Sequence, residues 1–235
     1  MKVAAVLTGK HNSTFKGKNY VKINNLPVCL YPAMSALKCK LIQSFYVSSD
    51  SKIILNLLSK KGFTKFTRPK KLSKPQSLHM DVIIHFLDFL KKQKKMPEIV
   101  VVLLANSPIV KTSWIRKCIQ KIKKNKKLTA VVPVIKNNDN HPFRAKKIKN
   151  KILVPFFNFK NKVSSNRQDL QSSYFLAHNF WVIRSKEIYL NRGFPPWSFM
   201  GKNVSPFIID SSIDIHTKED IKKCEYWLNE NSVLD

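Results

Sequence analysis

The chain has 235 residues, 43% of them hydrophobic and 11% aromatic, which is enough to bury the core of one medium domain and excludes a disordered chain. Its formal net charge of +29 comes mostly from lysines spread over every segment. Such runs read first as solvated faces and second as a field that attracts polyanionic ligands such as nucleotides.

Short apolar runs alternate with segments of helical period. Val3–Leu7 reads as a buried strand and Thr8–Asn19 as a long polar loop after it. Pro27–Lys38 carries Leu30, Met34 and Leu37 at helical spacing, and Ser44–Ser48 is a second strand. Ser51–Lys60 is a helix with Ile53, Ile54, Leu57 and Leu58 on one side, followed by a short strand at Phe63–Thr67. Gln76–Lys92 has the apolar stripe Val82, Ile83, Phe86, Leu87 and Leu90, and Glu98–Leu104 is the most continuous apolar strand. Thr112 is a candidate cap for a helix over Ser113–Lys124, and Leu128–Val134 is another strand. From about 137 to 173 polar and basic residues surround one apolar patch, Ile152–Phe159, as expected of a protruding hairpin or lobe. Strand character returns at Phe175–Ile183 and Phe207–Ile209, and Thr217 opens a last helix with Glu219 and Asp220 in its first turn. This order predicts an α/β fold: a mostly parallel, Rossmann-like sheet with helices on both faces, plus a small lobe.

No apolar run reaches membrane-spanning length, and the run after Met1 is too short for a signal-peptide core. A cytoplasmic protein with no membrane partner is expected. The four cysteines, Cys29, Cys39, Cys118 and Cys224, lack CxxC spacing and read as reduced, buried thiols. Aromatics are not interleaved with the basic runs, and no RRM, helix-turn-helix or zinc spacing occurs, so no nucleic-acid partner is expected either.

Three constellations carry chemistry. The loop from Thr8 to Asn19 follows the first strand, where open α/β sheets bind ligands, and holds Gly9, Gly17, Lys10 and Lys18. Two readings stand side by side: a cradle for phosphate oxygens, or a polar surface loop. It lacks Walker A spacing. In Ser212-Ile213-Asp214-Ile215-His216, read as lying near a strand end, alternation points Asp214 and His216 to one face. They can hold a divalent ion with phosphates completing its shell, or they are an edge-strand aspartate and a surface histidine. Ser107-Pro108 ends the strand before it as turn chemistry. His11, His79 and His85 show no ligand spacing and read as structural or solvated.

Taken in order, these segments resemble the acylneuraminate cytidylyltransferase family. AAVLTGKHNSTFKGKNYVKINNLPV is similar to its leading motif, with Ser13, Lys18 and Asn19 matching and Lys10 where the family has arginine. YVSSDSKII resembles V-S-T-D-S-x-x-I, and Thr67-Arg68-Pro69-Lys70-Lys71-Leu72 resembles R-P-x-x-L. VVVLLANSPIVKT, His141-Pro142-Phe143-Arg144 and Asn166-Arg167-Gln168-Asp169-Leu170 resemble further elements. SSIDIHTKEDIKKCE tracks S-I-D-I-D-T-x-x-D-x-x-x-A-E, with His216 in place of the second aspartate. The matches are colinear from residue 3 to about 228.

The resemblance implies one nucleotidyltransferase domain over 1–235, with residues 137–173 as an inserted dimerisation and substrate lobe of a homodimer. It implies CTP over the leading loop, bound by Lys10, Ser13, Lys18, Asn19, Arg68 and Ser77, with Lys10, Lys18 and Asp214 in catalytic roles. Arg144 and Arg167 would hold the acidic sugar, reaching across the dimer, and Arg is suited to a carboxylate through its planar fork. Asp214 and His216 would take Mg²⁺, or Mn²⁺. The implied reaction joins CMP to sialic acid or a related nonulosonic acid and releases pyrophosphate. A Kdo-type cytidylyltransferase and a family member that binds without turnover are the alternatives.

Overall fold

The computed structural model describes residues 1–11, 15, 17–159 and 162–231. Twelve strands and six helices follow one another along these residues. The strands are β1 (Val3–Gly9), β2 (Lys22–Ile23), β3 (Leu26–Pro27), β4 (Ser44–Ser49), β5 (Thr64–Thr67), β6 (Ile99–Leu104) and β7 (Ala130–Lys136), then β8 (Lys146–Lys149), β9 (Ile152–Pro155), β10 (Tyr174–Leu176), β11 (Phe180–Arg184) and β12 (Val204–Ile208). The helices are α1 (Leu30–Leu37), α2 (Lys52–Ser59), α3 (His79–Lys92), α4 (Thr112–Lys124), α5 (Ser185–Leu190) and α6 (Lys218–Glu230).

The strands β6, β1, β4 and β5 are neighbours and parallel, with Val6 of β1 opposite both Tyr46 and Val102. Beyond β6 the sheet turns antiparallel through β11 to β7, and β12 runs parallel to β7 at the edge. Alternation sends β1 side chains to two cores. Val3, Ala5 and Leu7 face the cluster packed by α1, α2 and α4, while Ala4 and Val6 face the one packed by α3 and α5. Strands buried on both faces read as continuous apolar runs, which is why VAAVL and IVVVLL stood out. The predicted α/β architecture, with a mostly parallel sheet and helices on both faces, is the one observed.

Several local readings are corrected. The single strand expected over Phe175–Ile183 is broken at 177–179, so that β10 pairs with the far half of β7 and β11 with its near half. Residues 209–216, expected near a strand end, join no ladder. Instead, the Ile215 amide donates to the Asn106 carbonyl at 3.0 Å. Thr112 is the first residue of α4 rather than its cap, and its hydroxyl donates to the Ser35 carbonyl at 3.0 Å. Helix α3 begins at His79, three residues later than expected. The β2–β3 hairpin turns on Asn24 and Asn25 at φ 46° and 63°, the left-handed pair of a tight turn, and α5 was not anticipated.

In the 137–173 region β8 and β9 form a separate two-stranded hairpin, turning on Asn150 and Lys151. Ile148 and Leu153 lie opposite one another on it, exposed by 78% and 67%. All four cysteines are buried and free. Among the described residues no helix is long and apolar enough to cross a membrane.

Candidate active site

A cleft of about 580 Å³ opens at the carboxyl ends of the parallel strands. Thr8, Gly9 and Lys10 enter it from the end of β1, Leu104 and Asn106 from the end of β6, and Arg68 from just beyond β5. Lys18, Asn19, Ser77, His79, Val82 and His216 complete most of the wall. Six residues proposed from the sequence therefore meet in one place: Lys10, Lys18, Asn19, Arg68, Ser77 and His216. Ser13 lies outside the described residues.

Local interactions explain how the loops are held. Gly9 is required by close approach: a Cβ there would lie 2.8 Å from the Ala105 Cβ and 3.2 Å from the Ile54 Cδ1. Gly17, at φ +84°, starts the turn whose Tyr20 and Val21 amides donate to its carbonyl. Asp50 accepts from the His11 amide at 2.8 Å, tying the leading loop to the end of β4, while Ser51 caps α2. Asn19 donates to the Lys10 carbonyl at 2.7 Å. Lys10 Nζ donates to the Lys74 carbonyl at 3.1 Å, and Ser77 Oγ to the Lys71 carbonyl at 2.9 Å. Arg68, 4% exposed, donates from Nη2 to the Ser48 carbonyl at 2.9 Å, and its Nε has no acceptor among the described residues.

Asp214 stands at the side of the cleft, with its carboxylate and the His178 carbonyl sharing the Ser107 hydroxyl. Its Oδ2 is 3.7 Å from His216 Nε2, and His216 Nδ1 is 3.5 Å from Lys18 Nζ. Asp214 and His216 thus approach one another without a ladder, because the alternate residues Ile213 and Ile215 pack inward. His216 is fixed from below by α6: Asp220 forms a capping box with Thr217 and also accepts from the His216 amide at 2.9 Å.

The charges in the cleft act on one another. Burial lowers the Lys10 pKa, assisted by Arg68 and opposed by Asp50. Burial also lowers that of Lys18, with Asp214 opposing. Arg68 falls to about 10 through burial. Asp214 is raised, again by burial, against the Ser107 hydrogen bond and the nearby His178, His216 and Lys18. His79 is lowered to about 3 by desolvation first, then by Arg68, His178 and Lys10. It sits 2.9 Å from the Thr8 hydroxyl and is neutral at ordinary pH.

Asp214 Oδ2 and His216 Nε2 are close enough to share one divalent ion. Among the described residues no group of three His, Cys, Asp or Glu side chains could hold a metal by itself. These two side chains could hold an ion only with phosphates and water supplying most of its ligands; Asp214 offers the oxygen that Mg²⁺ favours, whereas the His216 nitrogen suits Mg²⁺ less. Arg144 and Arg167 do not reach the cleft. Arg167 pairs with the Asp139 carboxylate at 2.9 Å and Arg144 donates to the Asp139 carbonyl at 3.2 Å, both in the lobe.

Sequence reasoning passed over His79, read as structural or solvated, which faces the cleft, and over Asn106, and it read Ser107 only as turn chemistry. Position at strand ends was the available signal for the last two. For His79 it was the first turn of a helix that follows the Arg68 segment.

Fold and cationic cleft together are those of a nucleotidyltransferase. The chain belongs to the cytidylyltransferase family, which matches it over residues 10–220. It is 25% identical over 173 residues to a pseudaminic acid cytidylyltransferase and UDP-2,4-diacetamido-2,4,6-trideoxy-beta-L-altropyranose hydrolase of Helicobacter pylori. That match covers 73% of this chain but only 32% of the relative. Among solved structures it resembles a CMP:2-keto-3-deoxy-manno-octonic acid synthetase complexed with CTP, with a TM-score of 0.72, 12% identity and coverage of 98% and 99% of the two chains. It also resembles the 4-diphosphocytidyl-2C-methyl-D-erythritol synthase of Anaerococcus prevotii, with a TM-score of 0.64, 18% identity and coverage of 97% and 96%.

Proposed function

We propose that the protein transfers CMP from CTP to the anomeric hydroxyl of an acidic 2-keto-3-deoxy sugar, sialic acid or a related nonulosonic acid. The observation that carries this reading is the meeting of Lys10, Lys18, Asn19, Arg68 and Ser77 in one cleft with the Asp214–His216 pair at its side. The CTP named with one structural neighbour, and the pseudaminic acid in the name of the Helicobacter pylori relative, support the two substrates.

The sugar hydroxyl attacks the α-phosphorus, forming a new P–O bond as the bond to the β-phosphate breaks and pyrophosphate leaves. Lys10 and Lys18 offset the charge that grows on the departing phosphates. Arg68 and Asn19 hold the nucleotide, and Asp214 orients the attacking hydroxyl. Asp214 and His216 would hold a Mg²⁺ or Mn²⁺ ion, which would supply further charge neutralisation at the phosphates. In a homodimer joined through the β8–β9 hairpin, Arg144 and Arg167 serve the sugar carboxylate of the partner's site. The apolar pair Ile148 and Leu153, exposed on that hairpin, supports such an interface.

The test is pyrophosphate release from CTP against a panel of nonulosonic acids and Kdo, with Mg²⁺ and Mn²⁺ in turn. Release with a nonulosonic acid, abolished by Asp214→Ala, is expected. Release with Kdo alone would move the acceptor to that class, and CTP binding with no release across the panel would make the protein a binder rather than an enzyme.

A further inference from the structure

At the pole of the sheet opposite the active cleft, the amino ends of β1 and β6 meet the carboxyl end of β11. From there β6 runs six residues, about 20 Å, before Leu104 reaches the cleft. Helices α3 and α4 run back to this pole before β6 and β7 begin, and α5 starts there after β11. Between these elements lies a second cavity, of about 780 Å³.

Its wall carries two kinds of surface. Met96, Pro97 and the Tyr189 ring supply carbon, and the Tyr189 hydroxyl is anchored by donating to Asp88 at 2.8 Å. Lys91, Lys126 and Lys186 line the cavity with exposed side chains, and Lys91 Nζ stands 6.0 Å from the centre of the Tyr189 ring. Arg184, 8% exposed, donates from Nε to the Leu128 carbonyl at 2.7 Å and from Nη2 to the Ile122 carbonyl at 2.8 Å. Those acceptors are neutral, so they fix the guanidinium without cancelling its charge. Among the described lining residues Glu98 is the one carboxylate. It is already engaged, accepting from the Lys2 amide at 3.2 Å and lying 3.6 Å from the Met1 amine.

Exposed lysines alone read as a solvated face. Ser185 sets this wall apart. It is 2% exposed, its amide is bonded to the Glu98 carbonyl, and its hydroxyl has no partner among the described residues. A buried hydroxyl left without a partner is unusual in a folded protein and calls for one. An anion in the cavity would accept from that hydroxyl and balance the surrounding cations, while an attached ring or chain covered Met96 and Tyr189. We propose that this cavity is a second ligand site, for a small phosphate monoester or carboxylate carried on an aromatic or aliphatic body. It stands independently of the transfer reading, because it shares no residue with the active cleft.

Phenyl phosphate is the probe, titrated by calorimetry beside inorganic phosphate and phenol. It should bind with a Kd of about 1 mM or tighter, the scale of a fragment-sized ligand. Inorganic phosphate and phenol, each half of the probe, should bind at least about tenfold more weakly. Ser185→Ala should weaken phenyl phosphate by about tenfold through the lost hydrogen bond to a charged group. The melting temperature of that variant should not fall, because the free protein loses no bond. Lys126→Glu with Lys186→Glu, both on exposed side chains, should abolish binding, whereas Lys10→Glu in the active cleft should leave it intact. Binding lost in the Lys10 variant alone would place the probe in the active cleft and overturn the proposal. Inorganic phosphate bound as tightly as phenyl phosphate, binding indifferent to the Ser185 and lysine changes, or no binding of phenyl phosphate would each overturn it as well.

Discussion

Replacing His79 by Asn should make the protein markedly less sensitive to acid. The imidazole stands at the cleft floor, 2.9 Å from the Thr8 hydroxyl, with its pKa held at about 3 by desolvation and by Arg68, His178 and Lys10. In the unfolded chain the same group titrates near 6.5. Below that pH the unfolded state takes up a proton that the native state refuses, so stability falls as pH falls and is unaffected above it. Each pH unit costs about 1.4 kcal/mol, or about 3 kcal/mol by pH 4.5, so long as the native pKa lies below 4.5. That is a large share of the roughly 5–15 kcal/mol available to a domain. Asn keeps an amide that can bond Thr8 but cannot titrate. Urea unfolding at pH 7.5, 6.0, 5.0 and 4.5 should show the variant gaining on the parent by about 3 kcal/mol over that range. His85, also lowered by burial, is common to both proteins and cancels in the difference. Parallel stability curves would refute the reasoning, because they would mean that His79 protonates freely in the folded protein.

Gly9→Ala should destabilise by about 1–3 kcal/mol through overpacking, since its Cβ would meet Ala105 at 2.8 Å. It should also weaken CTP binding by displacing Lys10, and Ala105→Gly in the same chain should recover most of both losses in thermal melts and calorimetry. On the proposed dimer, Ile148→Asp with Leu153→Asp should give a monomer in sedimentation with an unchanged melting curve at low protein concentration, because both side chains are exposed on the isolated subunit. A doubly substituted protein that still sediments as a dimer would place the interface elsewhere.

The sheet was legible because its central strands are buried on both faces and so carry nothing but apolar residues, as in Ile99–Leu104. The edges were harder. β10 and β11 were read as one strand although the polar pair His178-Asn179 interrupts the apolar residues at the break, where the Ser107 hydroxyl donates to the His178 carbonyl and Asn179 to the Ile109 carbonyl. Asn24-Asn25 did carry a turn signal, but strands of two residues are too short to show alternation. At the site, cations at strand ends were readable as such. His79 was not, because its meaning comes from Thr8, seventy-one residues earlier in the chain. Nor does the sequence show that Asp50 bonds backward to the His11 amide, thirty-nine residues earlier.

Electrostatics explains why these groups are arranged as they are. Lys10, Lys18 and Arg68 share one cleft, with the carboxylates of Asp50 and Asp214 nearby, and each of the three has its pKa lowered. A lowered pKa in a cation means that its charge is less well solvated there than in water. The protein therefore holds a cluster of positive charge that its own carboxylates only partly offset. Packing supports the cluster through the bond from Lys10 to the Lys74 carbonyl, that from Arg68 to the Ser48 carbonyl, and the Asp50–His11 tie. On the proposed function, a polyphosphate entering the cleft would supply the missing negative charge and find the donors already oriented, so that little reorganisation would oppose the charge that builds during transfer. Asp214 fits the same logic from the opposite sign. Burial raises its pKa, and the Ser107 hydrogen bond, together with His178, His216 and Lys18, opposes that rise, while its Oδ2 stands 3.7 Å from His216 Nε2. On the proposed function, replacing Ser107 by Ala would release both Asp214 and the His178 carbonyl, and steady-state kinetics with calorimetry should show kcat lowered and nucleotide affinity near its original value.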